Sequence, residues 1–272
     1  MLVRFEVNCS IVFTELPLLD RPQAARDAGF DAVEFWWPWP VAVPSDADVA
    51  RFASAITDAG VSLVGLNFFA GDMPAGDRGL VSWPARSSEF RDNIDVTLGL
   101  GEQLGCRAFN ALYGLRQDDS SPQEQDELGA ENLALAADAA KRIDGTVLVE
   151  PVSGADRYPL RTAADALAVI DRAAAGERDN IRLLFDVYHL AVNGDDLDAA
   201  VDLAAGRVGH VQIADAPGRH EPGTGKLDID HHLRRIAATG YDGWVGLEYK
   251  PSGASAASFD WLPRERRSAT AS

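Results

Sequence analysis

Four polar side chains in the second half of the chain each stand at the end of an apolar run: Glu150 in TVLVEP, Asp186 in LLFDVYH, Gln212 in HVQIAD and Glu248 in WVGLEYK. Three are acids and the fourth is a neutral oxygen donor. Packed together without a cation, three carboxylates repel, and some must take up protons. A divalent ion removes that conflict. Oxygen ligation without a thiolate favours Mg2+ or Mn2+ over zinc, and His210 or His189 would broaden the choice. Any one of these residues taken singly reads as a solvated rim residue or a helix cap. Four consecutive strand ends of this kind make metal ligation the stronger reading. Asp215 is a weaker candidate, because turn or capping work explains it as well.

Other polar residues fall close by. His189 follows Asp186 closely enough to contact a substrate, or equally to cap the start of a helix. Arg219 and Glu221 stand in the loop APGRHEPGTG, from which Arg219 could meet an anionic group. His231 and His232 lie in the amphipathic segment IDHHLRRIAATG, where a surface role is the better reading. Trp36, Trp37, Trp39, Phe68 and Phe69 crowd two strand ends and suit either a tight substrate wall or mouth packing.

The elements that must carry these residues alternate along the whole chain. Short apolar segments (RFEVN, DAVEFW, VSLVGLNF, RAFNALYG, TVLVEP, IRLLFDVYH, GHVQIAD, GWVGLEYK) predict eight strands. Ala-rich segments of helical period, such as DADVARFASAITDAG, SEFRDNIDVTLGLGEQLG and NLALAADAAKRID, lie between them. Ser45 and Asp46 offer a cap for the second helix, and Gly29, Gly60, Gly105 and Gly240 offer helix stops. Eight strand–helix units predict an α/β fold, a (β/α)8 TIM barrel in a single domain, with the strand C-termini facing one mouth. An open doubly wound sheet shares the alternation, but no GxGxxG follows an early strand and no GxxxxGK[ST] occurs. GTGKL at 223–227 only echoes a phosphate loop. The barrel is expected over 1–262, with a polar tail over 263–272 that frays; the segment FFAGDMPAGDRGLVSWPARSSEF is long enough to form a lid.

Composition excludes several classes of function. Against 25 basic residues stand 42 acidic ones, a formal charge of −17 that opposes binding to nucleic acid and to anionic membranes. The two cysteines, Cys9 and Cys106, are far apart and form no metal spacing, which fits a reducing compartment. With no signal-like start and no run long enough to span a bilayer, a soluble cytoplasmic protein is the expectation. No stripe in the sequence assigns an interface, so association into a homo-oligomer stays open.

The motifs together carry a resemblance. EP after the fifth strand, FDVYH, GHVQIAD, PGRHEPGTG and GWVGLEYKP, with VEFWWP, AGDMPAGDRGL and PARSSEFR, resemble the hydroxypyruvate isomerase family of xylose-isomerase-like TIM barrels. The likeness runs from about the first strand to Pro251. It implies that Glu150 and Glu248 donate and accept protons, and that these two with Asp186 and Gln212 ligate a divalent metal. It also implies that His189 and Arg219 lie near the substrate, with Asp156 and Glu221 as companions. Ser153, His220 and Lys226 depart from the pattern, standing where many relatives carry Asn, Gly and Glu. The implied reaction interconverts hydroxypyruvate and tartronate semialdehyde (2-hydroxy-3-oxopropanoate) by enediolate proton transfer. Isomerisation of 2-oxo-tetronate and 3-epimerisation of a ketose would use the same site. A non-catalytic barrel that binds sugar acids ranks below these, since both glutamates are present. Cleavage of DNA at abasic sites ranks lower still, because five histidines are too few and poorly placed for a zinc cluster.

Overall fold

The computed structural model describes residues 3–175 and 178–268. Eight strands, β1 (Arg4–Asn8), β2 (Ala32–Phe35), β3 (Ser62–Asn67), β4 (Ala108–Asn110), β5 (Thr146–Val149), β6 (Ile181–Asp186), β7 (Val208–Ile213) and β8 (Trp244–Leu247), pair in parallel and in chain order. β8 returns to pair with β1, closing the barrel, so the expected (β/α)8 fold is present. The outer layer comprises α1 (Arg21–Asp27), α2 (Asp46–Ala59), α3 (Ser87–Leu104), α4 (Pro122–Lys141), α5 (Ala163–Ala174), α6 (Val187–Asn193), α7 (Leu197–Leu203) and α8 (Ile229–Ala238). Among the described residues no helix is long and apolar enough to cross a membrane.

Local chemistry accounts for most boundaries. Ser45 caps α2 by accepting from the Asp48 backbone N–H, and Gly60 ends that helix in the left-handed region. α4 begins ten residues before the apolar segment NLALAADAAKRID. Its first turns, PQEQDELGAE, have almost no apolar period; a reciprocal Ser121–Glu124 capping box starts it instead. After β8 the connection is a 3-10 helix, Ser255–Phe259, rather than an α-helix; Phe259 is fully buried and packs on Phe30. The expected fraying does not extend to residues 263–268. Arg267 donates to the carbonyls of Leu262, Ala28 and Phe259, and Arg264 to that of Asp27, stapling the segment to the end of α1. Residues 269–272 of the tail lie outside the described residues.

The barrel interior departs from the usual layers of branched aliphatics. Alternate residues point inward, and on β1, β2 and β7 these are Glu6, Asn8, Glu34, His210 and Gln212, all buried. Room for them comes from two glycines. A Cβ at Gly246 would lie 2.6 Å from a Glu6 oxygen and 2.7 Å from a Glu34 oxygen, and one at Gly65 2.9 Å from the other Glu34 oxygen. Phe5, Val7, Val33 and Phe35 face the helices and form part of the apolar core.

Candidate active site

Glu150, Asp186 and Glu248 emerge at the C-terminal ends of β5, β6 and β8 and meet at the mouth. Donor atoms of these three carboxylates and of His189 all lie within 4.8 Å of one another, and all four residues are buried. Each is anchored differently. Glu150 accepts one hydrogen bond, from Asn110 Nδ2 at 2.7 Å. One oxygen of Asp186 caps α6 by accepting from the His189 backbone N–H at 2.9 Å. Glu248 is held on both oxygens: Oε1 accepts from Trp36 Nε1 (2.7 Å), Asn8 Nδ2 (2.9 Å) and Gln212 Nε2 (3.2 Å), while Oε2 meets the Arg219 guanidinium.

The electrostatics follow from that crowding. Burial, then the charges of Glu248 and Asp186, push the Glu150 carboxyl well above the ordinary range. Burial pushes Glu248 up to about 7, against the pull of Arg219. Burial likewise raises Asp186 to about 6. Arg219 stays protonated: burial opposes its charge, but Glu248, Asp186 and Glu150 outweigh it.

His189 is set as a donor. The Ser153 backbone N–H, which can only donate, points at Nδ1 from 2.9 Å, so in the neutral ring the proton sits on Nε2. Burial, followed by the charges of Arg219 and Arg78, holds the imidazole well below its usual pKa. In that tautomer Nε2–H faces Glu150 and Asp186, each 3.8 Å away and beyond hydrogen-bond reach. Ser153, one of the departures from the family pattern, also places its Oγ 2.7 Å from Nδ1.

The oxygen set fits a hard divalent ion. Oxygen atoms of Glu150, Asp186 and Glu248 gathered within 4.8 Å of one another are near enough to share one ion. Gln212 Oε1 is buried and has no partner among the described residues, as a ligand oxygen would be before an ion binds. The Arg219 charge does not by itself neutralise three carboxylates.

Above this floor opens a cavity of about 930 Å3, walled by Trp36, Trp37, Trp39, Phe69, Met73 and Arg78 among others. The long segment after β3 supplies Phe69 to Pro74 and Arg78 to this wall, the position expected of a lid. Arg78 is half-buried; its Nη1 donates to the carbonyls of Met73 (3.0 Å) and Asp77 (2.6 Å), and among the described residues no carboxylate pairs with it. Neighbouring Asp77 is committed to Arg86.

The other expected residues fall elsewhere. Asp156 is exposed on the loop after β5, and Glu221 bonds the Ser252 backbone N–H at 3.0 Å, tying the loops after β7 and β8 together; neither lines the cavity. Asp215 organises its own loop: its two oxygens accept from the backbone N–H groups of Ala216, Gly223, Gly225 and Leu227. The GTGKL segment thus spends three of its amides on an internal carboxylate and the other two on the carbonyls of Glu221 and Ala216. His231 and His232 flank Asp198 on the outer face of the helical layer. His210 does not join the mouth. It lies below, 2.9 Å from Glu34 and 3.5 Å from Glu6, in a second buried group the sequence reading missed.

Residues 22–265 match the family described as xylose isomerase-like TIM barrel. A Streptomyces coelicolor protein provisionally named a hydroxypyruvate isomerase is 54% identical over 98% of both chains. The 2-oxo-tetronate isomerase of Cupriavidus necator is 33% identical over 95% of this chain and 97% of its own. A Brucella melitensis crystal structure titled as an AP endonuclease of family 2 superposes with a TM-score of 0.86 at 33% identity, covering 96% of this chain and 98% of that one.

Proposed function

This chain belongs to the xylose isomerase-like TIM barrel family, and we propose that it is a metal-assisted isomerase interconverting hydroxypyruvate and tartronate semialdehyde. The observation that carries the reading is the convergence of Glu150 and Glu248, from β5 and β8, on one cluster of donor atoms at the floor of the cavity.

Hydroxypyruvate becomes its isomer when a proton leaves C3, the hydroxyl proton passes from O3 to O2, and a proton arrives at C2. One carboxylate and one carboxylic acid on the two sides of the substrate are what this needs. The two glutamates differ in that sense. Glu248 is gripped by Arg219, Trp36 and Asn8 and is the readier anion, so it takes the C3 proton. Glu150, anchored by the single hydrogen bond from Asn110, stands on the other side and returns a proton to C2. His189 Nε2–H donates to a substrate oxygen, and Arg78 offers a counter-charge for the substrate carboxylate. Glu150, Asp186, Gln212 and Glu248 would hold a Mg2+ or Mn2+ ion, which supplies Lewis-acid stabilisation of the enediolate charge. The aromatic wall limits water at the reacting carbons.

The cavity also has room for one more carbon, and the likeness to a 2-oxo-tetronate isomerase supports that acid as the second substrate to test. Arg78 favours either acid over a neutral ketose. DNA is disfavoured by the charge of −17. The test is proton NMR of hydroxypyruvate, 2-oxo-tetronate and a ketose incubated with purified protein and Mg2+ or Mn2+. Turnover of the three-carbon acid at the highest kcat/KM is expected. Turnover of the ketose alone, or full activity after exhaustive chelation, overturns the reading.

A further inference from the structure

Gln212 is a poor choice of ligand unless something decides which end of its amide faces the ion. Rotation about the last side-chain bond exchanges oxygen for NH2, and the two settings are close in intrinsic energy. An NH2 directed at a cation repels it. The barrel interior removes this ambiguity.

Gln212 Nε2 donates to Glu34 Oε1 at 2.7 Å and leans on Glu248 Oε1 at 3.2 Å. Turning the amide over would set its oxygen against two carboxylate oxygens, so only one orientation survives. In that orientation Oε1 is the atom left buried and unpartnered. Glu34 is itself fixed. Its Oε1 also accepts from Asn8 Nδ2 at 2.9 Å, and its Oε2 lies 2.9 Å from His210 Nε2. Gly65 and Gly246 leave the space that the Glu34 side chain fills from β2. Asn8 then links the same Glu34 oxygen to Glu248 at 2.9 Å, so one buried carboxylate steadies both an amide and a carboxylate of the mouth.

We propose that Glu34 is a positioning residue: from inside the barrel it turns Gln212 into an oxygen donor for a divalent cation at the mouth. The inference rests on the metal reading above. Glu34 itself touches neither ion nor substrate.

The experiment is titration of metal-stripped protein with Mn2+, followed by calorimetry and by electron paramagnetic resonance of free Mn2+. Wild type is compared with Glu34→Leu and with the double variant Glu34→Leu/Gln212→Glu. Leucine cannot accept from Gln212 Nε2, so the amide loses the acceptor that orients it, and Mn2+ affinity is expected to fall about 10- to 100-fold. The double variant gives position 212 oxygens in either setting, so binding should recover to within about threefold of wild type. A merely structural defect would lower melting temperature in both variants without that recovery. Folded Glu34→Leu that binds Mn2+ as wild type does overturns the proposal. So does a folded double variant that stays weak, which decides the matter even if the single variant is insoluble. Wild type that binds no Mn2+ defeats the metal reading itself, a separate result.

Discussion

Two buried groups of acids and histidine sit one above the other in this barrel, and they resolve their charge in opposite ways. Glu150, Asp186, His189 and Glu248 form the upper one; Glu6, Glu34 and His210 form the lower. In the lower group the histidine is the cation. Burial opposes its charge, but Glu34 and Glu6 outweigh this and raise His210 to about 10, while His210 holds the Glu34 carboxylate below its ordinary value. Glu6, fully buried beside Glu34, is pushed well above the usual range by burial and keeps its proton. Charge is settled internally, and no opening to the cavity is required. In the upper group the histidine is neutral, and three carboxylates share one arginine. Such a group is left needing positive charge, and it faces a cavity through which an ion and substrate can come. Similar residue types thus make a strut in one layer and a reaction site in the next.

The contrast can be broken most sharply at the glutamates of the mouth. Glu150→Gln and Glu248→Gln are each expected to lower kcat/KM at least about 100-fold; melting temperature should hold or rise in Glu150→Gln, which removes a repelled carboxylate, and fall in Glu248→Gln, which sets an amide N–H against the donors that grip Glu248. Retention of full activity in either variant, read by proton NMR, removes that residue from proton transfer. In the lower layer the effect moves to stability. His210→Phe strands Glu34 without its cation and should cost about 3–5 kcal/mol in denaturant unfolding. A loss below about 1 kcal/mol would mean the pair is not the strut described. Arg78→Met should raise KM for the acid substrate about tenfold with little change in kcat, the mark of lost ground-state binding; a change confined to kcat would count against carboxylate recognition.

A smaller effect follows from pH. Asp186 and Glu248, raised to about 6 and about 7, stabilise the metal-free fold only while they hold their protons. That contribution is complete below the unfolded carboxylate range and is lost as pH rises through the folded values. The melting temperature of metal-free protein should therefore fall by a few degrees, roughly, between about pH 5 and pH 8, and Mn2+ should flatten the curve. Equal slopes with and without Mn2+ would show that the upper carboxylates are not what is titrating. Ser153→Ala should matter least. The backbone N–H still fixes the His189 tautomer, so activity should stay within about fivefold of wild type.

How much of this could be read from the chain depends on where each residue stands in its strand. Glu150, Asp186, Gln212 and Glu248 follow apolar runs, so a strand-end position was visible, and the closed parallel order does the rest. Glu6 and Glu34 sit within RFEVN and AVEF, where alternation of apolar and polar reads as a strand with its polar face in water. Period alone does not say which face is inside. Here the apolar face turns outward to the helices and the acids turn inward, and only barrel closure reveals it. Gly65 and Gly246 were the available signal, since a glycine within a strand marks a close approach. Arg78 stands in AGDMPAGDRGL with no local mark of its role, which depends on the fold of a loop that has no period.

The loop after β7 shows what its inner carboxylate makes possible. Asp215 gathers four amides between 216 and 227, so the course of the backbone is set from within and not by the side chains on its outer surface. Arg219, at φ 59°, hangs from that course in a conformation few side chains adopt unaided. Lys226, one of the departures from the family pattern, takes part through a group every residue has, its N–H donating to the Ala216 carbonyl; His220, another, adds its carbonyl, which accepts from the Asp215 N–H, and its ring Nδ1, 2.7 Å from the Lys250 carbonyl. Evolution can therefore repaint the rim of this pocket while the arginine at its floor stays where it is.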